Sequence, residues 1–318
     1  MAHNHPHDHG LGHSHGHHHH AAGHNPHLLG ATLLTLGFAG VEALAGSWAG
    51  SLALIGDAGH MVNDGVALAL AAAAAWVARR PPSQRHTYGL GRAEVLAALL
   101  NSLAMLALVI AIVVEAVARL HSPAPIAGPT VMGVAVIGLA VNGLVAWLLS
   151  RGESNLNTRA ALLHVIGDML GSVAAIAAGA TVYFTGWQAA DPLLAGGIAV
   201  LILGSSLRLL RQALHALMEG VPAHLQAEEI GLALAAVEGV QSVHDLHIWT
   251  VGDGQVMLSA HLRLSDLAPW PDILERCRHL LEHRWQISHV TLQPETLPVA
   301  PLHFRPPQPR DSGDREPE

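Results

Sequence analysis

The sequence predicts an α-helical polytopic membrane protein with six transmembrane helices and a C-terminal cytoplasmic α+β domain, and three observations carry that prediction. Of 318 residues 51% are hydrophobic and only 13% are charged, more apolar material than a soluble core of this size would need. That material is gathered into six segments, each meeting the roughly 20 residues needed to cross a bilayer. From residue 215 onward the pattern changes to short amphipathic stretches punctuated by turns, as in a small water-soluble unit.

The spans fall at 28–47, 52–77, 92–119, 127–149, 158–184 and 191–211. Small-residue runs such as Ala71–Ala75 and the Gly196-Gly197 pair let helices approach closely in lipid. The chain has no lysine, so arginine reports topology. Arg79, Arg80, Arg85 and Arg92 lie between spans two and three, Arg151 and Arg159 between four and five, and Arg208 and Arg211 close the sixth. The opposite loops are nearly bare, with Arg119 the exception, which places both termini and the even-numbered loops in the cytoplasm. Trp48, Trp76, Trp147 and Trp187 fall near segment ends, where amphipathic rings anchor at the membrane surface.

Residues 1–27 hold twelve histidines among Gly, Asn, Asp and Pro, a metal-binding composition that cannot pack a core. This tail lacks the basic start, apolar middle and cleavage site of a signal peptide and is expected to be retained. The membrane domain follows over 28–214 and the cytoplasmic domain over 215–300. Within the latter the sequence predicts a helix at 224–237, a strand at 241–250, a turn at Gly252-Asp253-Gly254, a strand at 255–264, a helix at 270–285 and a strand at 288–294. Residues 301–318, rich in Pro and charge, read as a disordered tail. The net charge of −8 is dispersed with no basic stripe, which argues against a nucleic-acid partner. The single Cys277 excludes an intramolecular disulfide and reads as a packed thiol.

Two copies of His-x-x-x-Asp lie inside the apolar spans: His60 and Asp64 in LIGDAGHMVNDGVAL, His164 and Asp168 in ALLHVIGDMLGSV. Residues four apart share a helical face, so each pair offers an imidazole nitrogen and a carboxylate oxygen to one point beside its helix. Ionisable groups at membrane depth cost roughly 2.5–3.5 kcal/mol each on insertion scales, so four of them imply work to do. Two nitrogens and two oxygens in tetrahedral number suit zinc and its close divalent relatives, though imidazole does not separate Zn(II) from Cd(II) or Co(II). Asp57, one turn before His60, is a secondary candidate on the same face, with Glu42 and Glu115 as similar intramembrane carboxylates and Asn142 as packing glue.

Further stretches extend the pattern: AGSWAGSLALIGDAGHMVND at 45–64, HTYGLGRAEVLAAL at 86–99, SNLNTRAALLHVIGDMLGSV at 154–173 and VHDLHIW at 243–249. With six spans, a His-rich tail and this C-terminal domain, the chain resembles the cation diffusion facilitators, in particular their zinc-exporting branch. The resemblance covers residues 28–296 and implies a homodimeric metal/proton antiporter with a ferredoxin- or metallochaperone-like cytoplasmic domain, in the bacterial inner membrane. It implies that His60, Asp64, His164 and Asp168 bind the transported ion, with His at position 60 matching the zinc-preferring pattern. It implies too that Arg92 pairs with Glu219 between subunits, and that His244, His261, His289 and Glu295 hold a regulatory zinc. Strict strand alternation instead groups His247 with Asp245 and sets His244 beside Leu246, which makes His247 a competitor for that site. A loop metal site of some relatives is expected to be missing, because only His86 stands where its ligands would be.

Exchange chemistry follows from the ligands themselves. Imidazole and carboxylate must shed protons to bind a metal, so binding displaces protons and protonation displaces metal. Opening alternately to each side, such a site exchanges cation for protons without ATP, consistent with the absence of any GxxxxGK[ST] loop. An intramembrane metallohydrolase would need an HExxH or an equivalent base and is disfavoured, whereas a metal sensor without transport remains the alternative.

Overall fold

The computed structural model describes residues 26–151, 156–252 and 254–296, with the side chains of 26–29, 31 and 156–161 also left aside. The His-rich and C-terminal tails, Arg159's side chain and Asp253 lie outside the described residues. Contacts divide the chain into two compact units that meet between Ala213 and Leu214.

The first unit contains α1 (Pro26–Ala49), α2 (Leu52–Ala78), α3 (Arg92–His121), α4 (Gly128–Ser150), α5 (Leu156–Thr185) and α6 (Ala190–Leu217). All six are long and apolar enough to span a membrane. Inside the bundle the packing is dominated by small side chains, Ala49, Ala53, Ala116, Ala135, Ala175, Ala195 and Ala199, around Leu54, Val109, Ile112 and Val131. Large apolar groups such as Val114, Leu170 and Leu201 are exposed outward, as lipid requires and water would not allow. α4 and α5 approach closely, and a Cβ on Gly128 would stand 2.7 Å from the Gly179 carbonyl oxygen.

The corner between α1 and α2 is fixed by polar bonds. Gly50 turns the chain at φ 71°, and a Cβ there would lie 2.7 Å from the Pro125 carbonyl. Ser51 caps α2 through its hydroxyl, which accepts from the Leu54 N–H at 3.2 Å. The fully buried Asp191, at the start of α6, accepts from the Ser51 hydroxyl at 2.5 Å and from the Leu52 N–H at 2.7 Å. A carboxylate thus meets the positive end of α2, where its charge is stabilised. Arg119, the exception to the arginine pattern, is tied down nearby: its guanidinium donates to Glu115 at 2.7 Å and to the Gly50 carbonyl at 2.5 Å.

The second unit contains α7 (Ala227–Ala235), β1 (Val240–Thr250), β2 (Val256–Leu264), α8 (Trp270–Trp285) and β3 (His289–Thr296). β2 is central, antiparallel to β1 and parallel to β3. Leu258, Ala260, Leu262 and Leu264 of β2 are buried with Ile230 and Leu234 of α7 and Ile273, Cys277 and Leu281 of α8, while Ser259, His261 and Arg263 alternate to the other face. The predicted helix at 224–237 is shorter in the structure, because turns at Pro222–Leu225 and Leu234–Val237 replace both ends. The sixth helix instead runs past 211 to Leu217, stopping before Glu219 turns left-handed at φ 58°.

Candidate metal centres

α2 presents His60 and Asp64 on one face, and α5 presents His164 and Asp168 on the face that meets it. His164 Nε2 lies 3.0 Å from Asp64 Oδ2 and 3.7 Å from Asp168 Oδ2. His60 Nε2 lies 3.5 Å from Asp64 Oδ2 and 3.7 Å from Asp168 Oδ1. A tetrahedral ion with bonds of about 2.0–2.1 Å sets its ligand atoms about 3.3 Å apart, and the four separations bracket that edge. Ligand atoms of His60, His164 and Asp168 fall within 4.8 Å of one another, and Asp64 stands beside both imidazoles. Asp168 is buried and His164 half exposed, so the cluster has one closed and one open side. Among the described residues, His60 Nδ1 is buried without a hydrogen-bond partner.

The other intramembrane carboxylates take different places. Asp57 faces α5 one turn from Asp168: a Cβ on Gly171 would come 3.2 Å from its Oδ1. Glu42 is buried against α4, with its Oε1 2.9 Å from where a Gly138 Cβ would stand and, among the described residues, no partner for its Oε2. Glu115 is bound to Arg119 on the outer side of α3, and Asn142 is buried on α4. A bond missed in the sequence links α2 to α3, with the Asn63 amide donating to Asn101 Oδ1 at 3.0 Å.

On the sheet, His244 of β1 and His261 of β2 are cross-strand partners, and Glu295 of β3 reaches both. His261 Nδ1 is 2.8 Å from Glu295 Oε1, and His244 Nε2 is 3.1 Å from Glu295 Oε2. Their ligand atoms form a second compact three-residue group. His247 is not part of it. The register slips between His244 and His247, Asp245 turns left-handed at φ 54°, and His247 ends 65% exposed, 3.5 Å from Asp245. His289 is also left out: it begins β3, six residues and about 20 Å along the strand from Glu295. Cys277 is a buried thiol whose burial pushes its pKa up to about 11. Arg92 opens α3, and Glu219 follows α6.

Residues 28–218 match the family profile described as the cation efflux transmembrane domain, and residues 222–297 match that of the cation efflux protein cytoplasmic domain. The chain belongs to the cation diffusion facilitator family. This facilitator is 42% identical over 274 residues to the zinc transporter ZitB of Escherichia coli strain K12, covering 85% of this chain and 87% of the relative. It is 39% identical over 275 residues to the cadmium, cobalt and zinc/H(+)-K(+) antiporter of Bacillus subtilis strain 168, covering 85% and 88%. It is 40% identical over 281 residues to the metal cation efflux system protein CzcD of Cupriavidus metallidurans, covering 86% and 89%. The facilitator is therefore an integral membrane protein of a zinc, cadmium and cobalt efflux family, and a transporter rather than an enzyme.

Proposed function

We propose that the chain exports Zn(II) from the cytoplasm in exchange for protons, with Cd(II) and Co(II) as further cargoes, by alternating access around His60, Asp64, His164 and Asp168. The observation that carries this reading is the crossed pairing of the two motifs, His164 with Asp64 at 3.0 Å and His60 with Asp168 at 3.7 Å, which makes the ligand set depend on both helices. Deprotonated, the four groups bind the ion on the cytoplasmic side. When they open to a more acidic exterior, protons compete for the same nitrogen and oxygen atoms, and the ion leaves. Asp57 serves as a secondary carboxylate on the ion's route.

The cytoplasmic group of His244, His261 and Glu295 holds a regulatory zinc. The chain works as a homodimer in the bacterial inner membrane with both termini cytoplasmic, and Arg92 of one protomer pairs with Glu219 of the partner subunit. Zinc flux into proteoliposomes under an imposed pH gradient, with lumenal pH followed in parallel, tests the reading. The native protein moves zinc against protons and Asp168→Ala does not. Zinc binding without flux in the native protein would instead favour a membrane metal sensor.

A further inference from the structure

Among the described residues, α8 carries a pair of histidines at the four-residue spacing of both membrane motifs. His279 and His283 are exposed on its last two turns, with ring centroids 4.1 Å apart and planes inclined by 32°. That is closer than the 5.7 Å between His60 and His164 or the 5.4 Å between His244 and His261. The orientation is fixed from behind, because Ile273, Cys277 and Leu281 lock the opposite face of α8 into the core.

The surroundings suit a cation. His279 lines a groove with Glu275, Glu282, Leu274, Pro271 and Arg278, so carboxylates one turn to either side border the imidazole. Arg278 is the one guanidinium lining the groove, against two carboxylates, while Arg276 is bound to the Glu238 carbonyl at 2.9 Å and Arg284 to Glu229 at 2.6 Å. The carbonyl end of the helix adds negative potential over these same turns. Two histidines at i and i+4 on one helical face are a metal-chelating arrangement, and the two exposed rings, stacked in this structure, bring one nitrogen each to a common ion by turning apart about their side-chain bonds.

We propose that His279 and His283 form a further metal site on the C-terminal domain, taking Zn(II) or another borderline divalent ion through two imidazoles and completing its shell with water. It is distinct from the His244, His261 and Glu295 group: α8 packs on the core side of β2, and His261 projects from the other side. With two protein ligands it binds more weakly than a four-ligand site and exchanges its ion readily with solution.

The test reads the two side chains individually, since the His-rich tail would obscure any bulk titration. Full-length protein in lipid nanodiscs is equilibrated with buffered zinc, its histidines are labelled with diethyl pyrocarbonate, and each adduct is assigned by peptide mass spectrometry. His279 and His283 should lose labelling together over one range of zinc concentration. In His279→Gln, His283 should stay labelled at concentrations that protect it in the native chain, with the far-ultraviolet dichroism unchanged. Full labelling of both residues in saturating zinc, or protection of His283 that survives His279→Gln, overturns the proposal.

Discussion

The cluster in the membrane and the cluster on the sheet use the same chemistry, imidazole against carboxylate, but are held in opposite ways. On the sheet, Glu295 bridges two histidines at 2.8 and 3.1 Å, and the three residues stand on neighbouring strands of one hydrogen-bonded sheet. In the membrane, each helix supplies half of the ligands, and three of the four separations are 3.5 Å or longer. Hydrogen-bonded strands cannot part without breaking their ladder, whereas α2 and α5 are separate helices joined only through their side chains. On the proposed reading, the difference teaches that a site which must release its ion is assembled across a boundary between two helices, and a site which must retain it stands within one sheet.

Breaking the membrane cluster should have the largest effect. Asp64→Ala removes the one carboxylate oxygen shared by His60 and His164, and zinc flux in proteoliposomes should fall to background while the helical content seen by circular dichroism is kept. Retained flux would show that the crossed pairing is not the transport site. A smaller effect follows on the sheet. Glu295→Gln should weaken zinc binding to the C-terminal domain by more than the roughly 10–100-fold that losing a supporting partner costs, while flux at saturating zinc stays near native. Equal losses of flux in both variants would erase the contrast. The smallest effect concerns Cys277, which touches neither cluster. With its pKa raised to about 11, its thiolate is scarce at pH 8, so iodoacetamide should leave the native chain unlabelled until it is unfolded, and flux should be unaltered by the treatment.

Much of this was legible from residue order because membrane helices obey strong rules. His60 with Asp64 and His164 with Asp168 declare a shared face by spacing alone, and apolar length located all six helices. The sheet was harder to read. Alternation favoured His247 because it assumes an unbroken strand, while the backbone turns at Asp245 and brings His244 opposite His261. His289 shares a face with Glu295, but face is not distance. The clasp between Ser51 and Asp191, 140 residues apart, left no local signature at all. Nor did the bond between Asn63 and Asn101, since neither residue type announces a partner.

That clasp has a mechanical consequence. With the first turn of α2 fastened to Asp191, a tilt of the helix about Ser51 would displace each residue in proportion to its distance from that hinge. His60 lies nine residues out and Asp64 thirteen, arms of about 14 and 20 Å at 1.5 Å per residue. A swing of about 5° carries them through about 1.2 and 1.7 Å, several times the ±0.2 Å within which metal–ligand bonds hold. An angle too small to disturb the packing beside the hinge is therefore enough to dismantle a coordination shell at the far end of the arm.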